Sequence, residues 1–164
     1  MKIRLLVLLL GLGLALIPST AMAATTYTES VKGVETGLPQ STASCPAPNS
    51  VSSFAGIASG TLDGGFQIAV CHTQLTTSGA TIQGGAFRFS NGTTTVNGAF
   101  KSGGKIFPPS LSVSGAFCIQ KYTVTGGLAP AGHFGGTLTH YGFWTGSACN
   151  VFFATISGSA TLTA

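Results

Sequence analysis

Between Thr81 and Lys101 the chain reads TIQGGAFRFSNGTTTVNGAFK, a segment that specifies a β-hairpin by itself. Asn91-Gly92 is the dipeptide that best tolerates the two positive φ angles of a type I′ turn. A two-residue turn there predicts Ser90 opposite Thr93 and, outward from it, Phe89 opposite Thr94, Phe87 opposite Val96, Gly85 opposite Gly98 and Gln83 opposite Phe100. These residues form a mainly apolar face, with Arg88, Thr95, Asn97 and Lys101 on the wet one. Paired glycines at 85 and 98 would leave a slot in the apolar face, as strand glycines do where the sheet bends or something large approaches.

The same alternation recurs on both sides of this hairpin. Residues 54–62 and 66–73 read as a second hairpin around Asp63-Gly64-Gly65. A three-residue loop there gives a coherent inner face, with Leu62 opposite Phe66, Gly60 opposite Ile68, Ala58 opposite Val70 and Gly56 opposite His72. Residues 102–109 read as a loop. Further strands follow over 111–125, with Val113, Gly115, Phe117 and Ile119 sharing a face, over 134–140, and over 149–163, with Phe152, Ala154 and Ile156 on one side. A strand is also expected around Tyr27 and Val31. No stretch beyond the N-terminal leader shows a helical period. The expected fold is all-β, a single antiparallel barrel of seven or eight strands, with a β-sandwich as the alternative and negligible helix once the leader is removed. Glycines on nearly every inner face favour closure, which also removes exposed edges.

The leader is the segment 1–23. Lys2 and Arg4 precede an apolar run from Leu5 to Ile17 and an Ala21-Met22-Ala23 cleavage site, the pattern of a secretory signal peptide, too short for a membrane span. The expected organisation is therefore a signal peptide over 1–23, a weakly structured Pro-containing segment over 24–53 and a β-barrel domain over 54–164, secreted to an extracellular or periplasmic location with no transmembrane span after cleavage.

After cleavage, five cations (Lys32, Arg88, Lys101, Lys105, Lys121) stand against three carboxylates (Glu29, Glu35, Asp63). Dispersed cations make no phosphate-binding stripe, so nucleic acid is not an expected partner. With so few charges, Thr, Ser, Gly and Asn form the wet surface, and little repulsion opposes self-association. The four cysteines, an even number in an exported chain, predict two disulfides, Cys118 with Cys149 and Cys45 with Cys71. Strand alternation places Cys71, Cys118 and Cys149 on the outside, and the first bridge requires the Pro-rich segment to pack over the barrel exterior.

No cofactor motif, nucleophile elbow or metal-ligand spacing is present, and no carboxylate pair stands in the core strands, so no catalytic residue, metal or cofactor is assigned. One coincidence stands out. Phe66 to His72 and Phe134 to His140 have the same spacing, and both histidines fall on inner registers. In a meander their strands run in the same direction, which brings both histidines to one mouth. Lys105, Phe107 and Trp144 would join them from the loops, making His72, His140, Lys105, Phe107 and Trp144 the candidate ligand-binding set. The expected function is a non-catalytic module binding an unknown small molecule or glycan. The alternative is a structural or surface-interaction protein in which each histidine is only a polar cap bonded to backbone.

Overall fold

The computed structural model describes residues 24–163, and the leader expected over 1–23 lies outside them. Ten strands follow in order: β1 (Thr26–Glu35), β2 (Ser50–Gly60), β3 (Gly64–His72), β4 (Ala80–Ser90), β5 (Thr95–Phe100), β6 (Lys105–Ile106), β7 (Ser110–Ser114), β8 (Phe117–Ala129), β9 (Ala131–Trp144) and β10 (Cys149–Thr163). Each of β1 to β4 pairs with the next, β4 pairs with β5 and β6, both of these pair with β8, and β10 returns to β1. Every pairing is antiparallel, so the sheet closes into an eight-stave up-and-down barrel.

One stave is broken twice. β5, β6 and β7 lie in succession along β8, and β7 pairs only with β8, continuing past the start of β4. Residues 24–53, expected to be weakly structured, contain β1 and the opening of β2, and β1 is the stave that joins β10 to β2.

The inner face follows a two-residue period with two interruptions, on β4 and on β10. On β1 it carries Tyr27, Glu29, Val31, Gly33 and Glu35. On β4 a bulge opposite Cys71 and His72 resets the alternation, so Ile82 is fully buried and Gln83, expected inside, is exposed. One half of the barrel is filled by Phe54, Phe66, Phe87, Phe89, Phe100 and Phe134 with Leu128, Leu138 and Leu162. Phe87 meets Phe100 edge-on at 6.0 Å between ring centroids, and Phe100 meets Phe134 at the same distance. Such contacts each contribute about 0.5–1.5 kcal/mol beyond area burial.

Both hairpin registers differ from expectation, and the rings explain why. In the first, Ser90 pairs with Thr95, Phe87 with Gly98 and Gly85 with Phe100, two positions along from the two-residue turn. Asn91 Oδ1 accepts the N–H groups of Thr93 and Thr94 at 3.0 and 2.8 Å, which lengthens the loop to 91–94. The shift lays the Phe87 ring over Gly98, where a Cβ would collide with it. In the second hairpin Gly56 opposes Phe66 and Ser50 opposes His72. Gly33, beside Gly56, makes room for Phe66, because a Cβ there would lie 2.5 Å from its Cζ. Both slips are even, so neither turns a residue to the other face, and the inward assignments of Phe66, Phe87, Phe89, Phe100 and His72 hold.

The longer loop after β2 closes the filled end. Leu62 tucks inward, its N–H bonded to Glu29 Oε1 at 2.7 Å and its carbonyl to Asn91 Nδ2 at 3.1 Å. Glu29 is almost fully buried, and its Oε2 has no partner among the described residues.

β8 departs from the expected phase. Its inward residues are Cys118, Gln120, Tyr122 and Val124, while Phe117 is 56 % exposed. Here β8 runs beyond the packed core, where the inner face turns polar and the aromatic side chains lie outside. Phe152 is likewise exposed, next to a bulge between Val151 and Phe153. The rings of Phe117, Phe143 and Phe152 stack in a row across β8, β9 and β10, at 5.4 and 4.8 Å.

Two disulfides join Cys45 to Cys71 and Cys118 to Cys149. The first ties the segment between β1 and β2 to the outside of β3, immediately before His72. The second differs from the outward placement expected for Cys118, which is 1 % exposed on the inner register. It spans from β8 to β10 across β9 at Gly142, where a Cβ would lie 2.8 Å from Cys149 Sγ.

Candidate functional site

At the end opposite Leu62 the barrel is not filled. The C-terminal end of β1, the start of β2, the end of β3, the start of β8, the outer part of β9 and the start of β10 all reach this end, as the meander requires. Between them lies a cavity of about 880 Å³. Its polar residues include Glu35, Ser52, His72, Gln120, Tyr122 and His140. Its outer part mixes apolar Leu38, Leu75, Val151, Phe152 and Phe153 with polar Thr36, Gln74, Thr76 and Thr77.

His72 is held from both sides. Nδ1 lies 2.7 Å from the Thr73 carbonyl, which only accepts, so Nδ1 carries the proton. Nε2 lies 3.1 Å from the Ser52 hydroxyl. Glu35 lines the same wall near Ser52. Burial pushes the Glu35 carboxyl above its ordinary range, and the nearby Ser52 hydroxyl offsets part of this.

His140 sits opposite, its ring 5.1 Å from that of Tyr122. Burial, with a further contribution from neighbouring His72, holds its pKa below the ordinary value, so the ring is neutral near pH 7. No hydrogen bond joins the His140 side chain to another described residue. The Tyr122 hydroxyl donates to Gln120 Oε1 at 3.3 Å, and burial raises its pKa as well.

Of the five residues singled out from the sequence, His72 and His140 share this cavity. Lys105 and Phe107 line a separate hollow with Thr76 and Pro108, and Lys105 Nζ donates to Thr81 Oγ1 at 3.2 Å. Expected as part of a loop over the mouth, residues 105 and 106 instead bond to β4 and β8 and stay on the barrel wall. Trp144 ends β9 opposite Cys149, its N–H bonded to the Ala116 carbonyl, and does not line the cavity.

Sequence reasoning passed over Glu35, Ser52, Gln120 and Tyr122. Both β1 carboxylates were set aside with the N-terminal segment, although Glu29 and Glu35 stand at even spacing from Val31 and so share its inward face. Ser52 likewise stands two residues before Phe54. Among the described residues no three His, Cys, Asp or Glu side chains are grouped as a metal would need. No protein-family model, curated protein or solved structure matches the chain.

Proposed function

We propose that this is an exported, non-catalytic binding protein that holds a small amphiphile in the open half of its barrel. The observation that carries the reading is the cavity of about 880 Å³, whose lining surface is mostly apolar with Glu35, Gln120, Tyr122 and His140 among it. Eight-stranded barrels have interiors that side chains either fill or leave free for one small ligand, and here the phenylalanines fill only the other half. Ligand sites are clefts of roughly 300–1,000 Å³ with few polar groups among apolar ones. The mostly apolar lining, with Leu75, Val151, Phe152 and Phe153, favours an amphiphile over a glycan. Two disulfides are compatible with an oxidising compartment, and the leader at 1–23 supplies the route there.

The test is binding of N-phenyl-1-naphthylamine, a dye that fluoresces in apolar surroundings. One saturable site is expected in the protein, and Ala154→Trp, which places an indole at the cavity wall, abolishes it. Equal dye binding by this variant, or none by the protein itself, overturns the reading.

The outer row of Phe117, Phe143 and Phe152 favours a second reading, a surface through which the protein associates with copies of itself. Sedimentation velocity of the protein and of Phe143→Ser decides it. Association abolished by the substitution supports this reading, and a monomer at all concentrations removes it.

A further inference from the structure

The electrostatics of the cavity narrow the chemistry of the ligand, an inference that rests on the binding reading above. Among the described residues lining the cavity Glu35 is the sole carboxylate, and none is Lys or Arg. A carboxylate or phosphate head would therefore meet Glu35 with no cation to offset the repulsion. His140 does not supply that cation in the neutral range, because burial and neighbouring His72 hold its pKa down, and the ring nitrogens of His72 are engaged by Thr73 and Ser52 instead of facing a ligand.

At Glu35, His140 and Tyr122 the cavity offers acceptors. Glu35 lines the cavity, and an ionised carboxylate has about four acceptor sites. Neutral His140 has one unprotonated ring nitrogen, and no described residue bonds to it. The Tyr122 oxygen, whose proton goes to Gln120, keeps its lone pairs. An ammonium is the complement of such a set, with three donors and no acceptor. An alcohol brings one donor and no charge, and a carboxylate brings none.

We propose that the ligand head is a protonated primary amine, its N–H groups directed to Glu35, His140 and Tyr122, with the apolar remainder lying along Leu75, Val151 and Phe152. Glu35 is ionised in the complex, so any proton it holds beforehand leaves to solvent as the ammonium arrives. The Tyr122 ring adds an aromatic face of the kind that attracts cations.

The experiment uses three probes with the same chain, decylamine, decanol and decanoic acid, each displacing N-phenyl-1-naphthylamine at about pH 8, where the amine is charged and carboxylates are ionised. Decylamine is expected to bind about tenfold more tightly than decanol, since hydrogen bonds to charged groups exceed neutral ones, with decanoate weakest. Glu35→Gln should bring the ratio of amine to decanol affinity close to one, with its circular dichroism spectrum like that of the parent. Decanol or decanoate equal to the amine, or an amine preference that survives Glu35→Gln, overturns the proposal while leaving the binding reading standing. Failure of the dye and all three probes to bind removes the binding reading itself.

Discussion

The Ser52 hydroxyl stands 3.1 Å from His72 Nε2, and this bond separates the roles of two histidines that the sequence presents as equivalent. His72 has its other nitrogen on the Thr73 carbonyl and is 4 % exposed, so it is part of the wall. His140 is half-buried, and its ring has no such partners. His72→Ala is therefore expected to lower stability by about 1–3 kcal/mol, because buried Ser52 loses its partner. His140→Ala should weaken dye binding with a smaller change in stability. Urea denaturation and dye titration of both variants check the division, and the opposite pattern would contradict it.

The titration of the cavity residues has a definite sign. Glu35 has a raised folded-state pKa, so the stability it contributes is fully present below its ordinary value of 4.5 and is lost as pH rises through the folded value. His140 has a lowered one, so its contribution is present above 6.5 and is lost as pH falls below that value. Thermal melts from about pH 4 to 8 should show Glu35→Gln gaining on the parent as pH rises. His140→Gln should gain on it as pH falls below 6.5. A Glu35→Gln variant that loses ground with rising pH would show that its carboxylate is stabilised in the fold.

Gly142 lies under the Cys118–Cys149 bridge with no room for a side chain, its Cβ position 2.8 Å from Cys149 Sγ and 2.7 Å from the Asn150 carbonyl oxygen. Gly142→Ala should destabilise the oxidised protein by about 1–3 kcal/mol through overpacking. The deficit should shrink when the bridge is removed by Cys118→Ala, Cys149→Ala in the same chain. An equal deficit in both backgrounds would place the clash with the β10 backbone alone.

At the closed end Glu29 holds the Leu62 N–H. Glu29→Ala leaves that donor unpaired, an expected loss of about 1–3 kcal/mol. Glu29→Gln retains an acceptor oxygen for the Leu62 N–H, so it should be the more stable of the two by denaturant titration. The reverse order would show that this bond does not hold the closed end.

The closed fold was legible because even-numbered register slips leave faces unchanged: Phe66, Phe87, Phe89 and Phe100 point inward in the expected registers and in the observed ones. The registers themselves were not legible. They depend on which glycine lies under which ring, Gly98 under Phe87 and Gly33 beside Phe66, and these are contacts between strands. His72 and His140 reach the same mouth because the meander argument needs only strand direction. Gln120 and Tyr122 were passed over because Phe117 and Ile119 read as the buried face, whereas the even-numbered residues of β8 from Cys118 to Val124 face inward. Lys105 and Phe107 were misplaced because a stave broken by Gly103 and Gly104 reads as a loop.

The central claim, that the open half of the barrel receives a small amphiphile, is tested most directly by amide chemical-shift mapping of the isotope-labelled protein titrated with decanol. The account predicts saturable shifts at Ser52, His72, His140 and Ala154 around the cavity, with little change at Leu62 and Phe89 in the filled half. Shifts confined to Phe117 and Phe143 on the outer aromatic row, or no shifts at all, would contradict it.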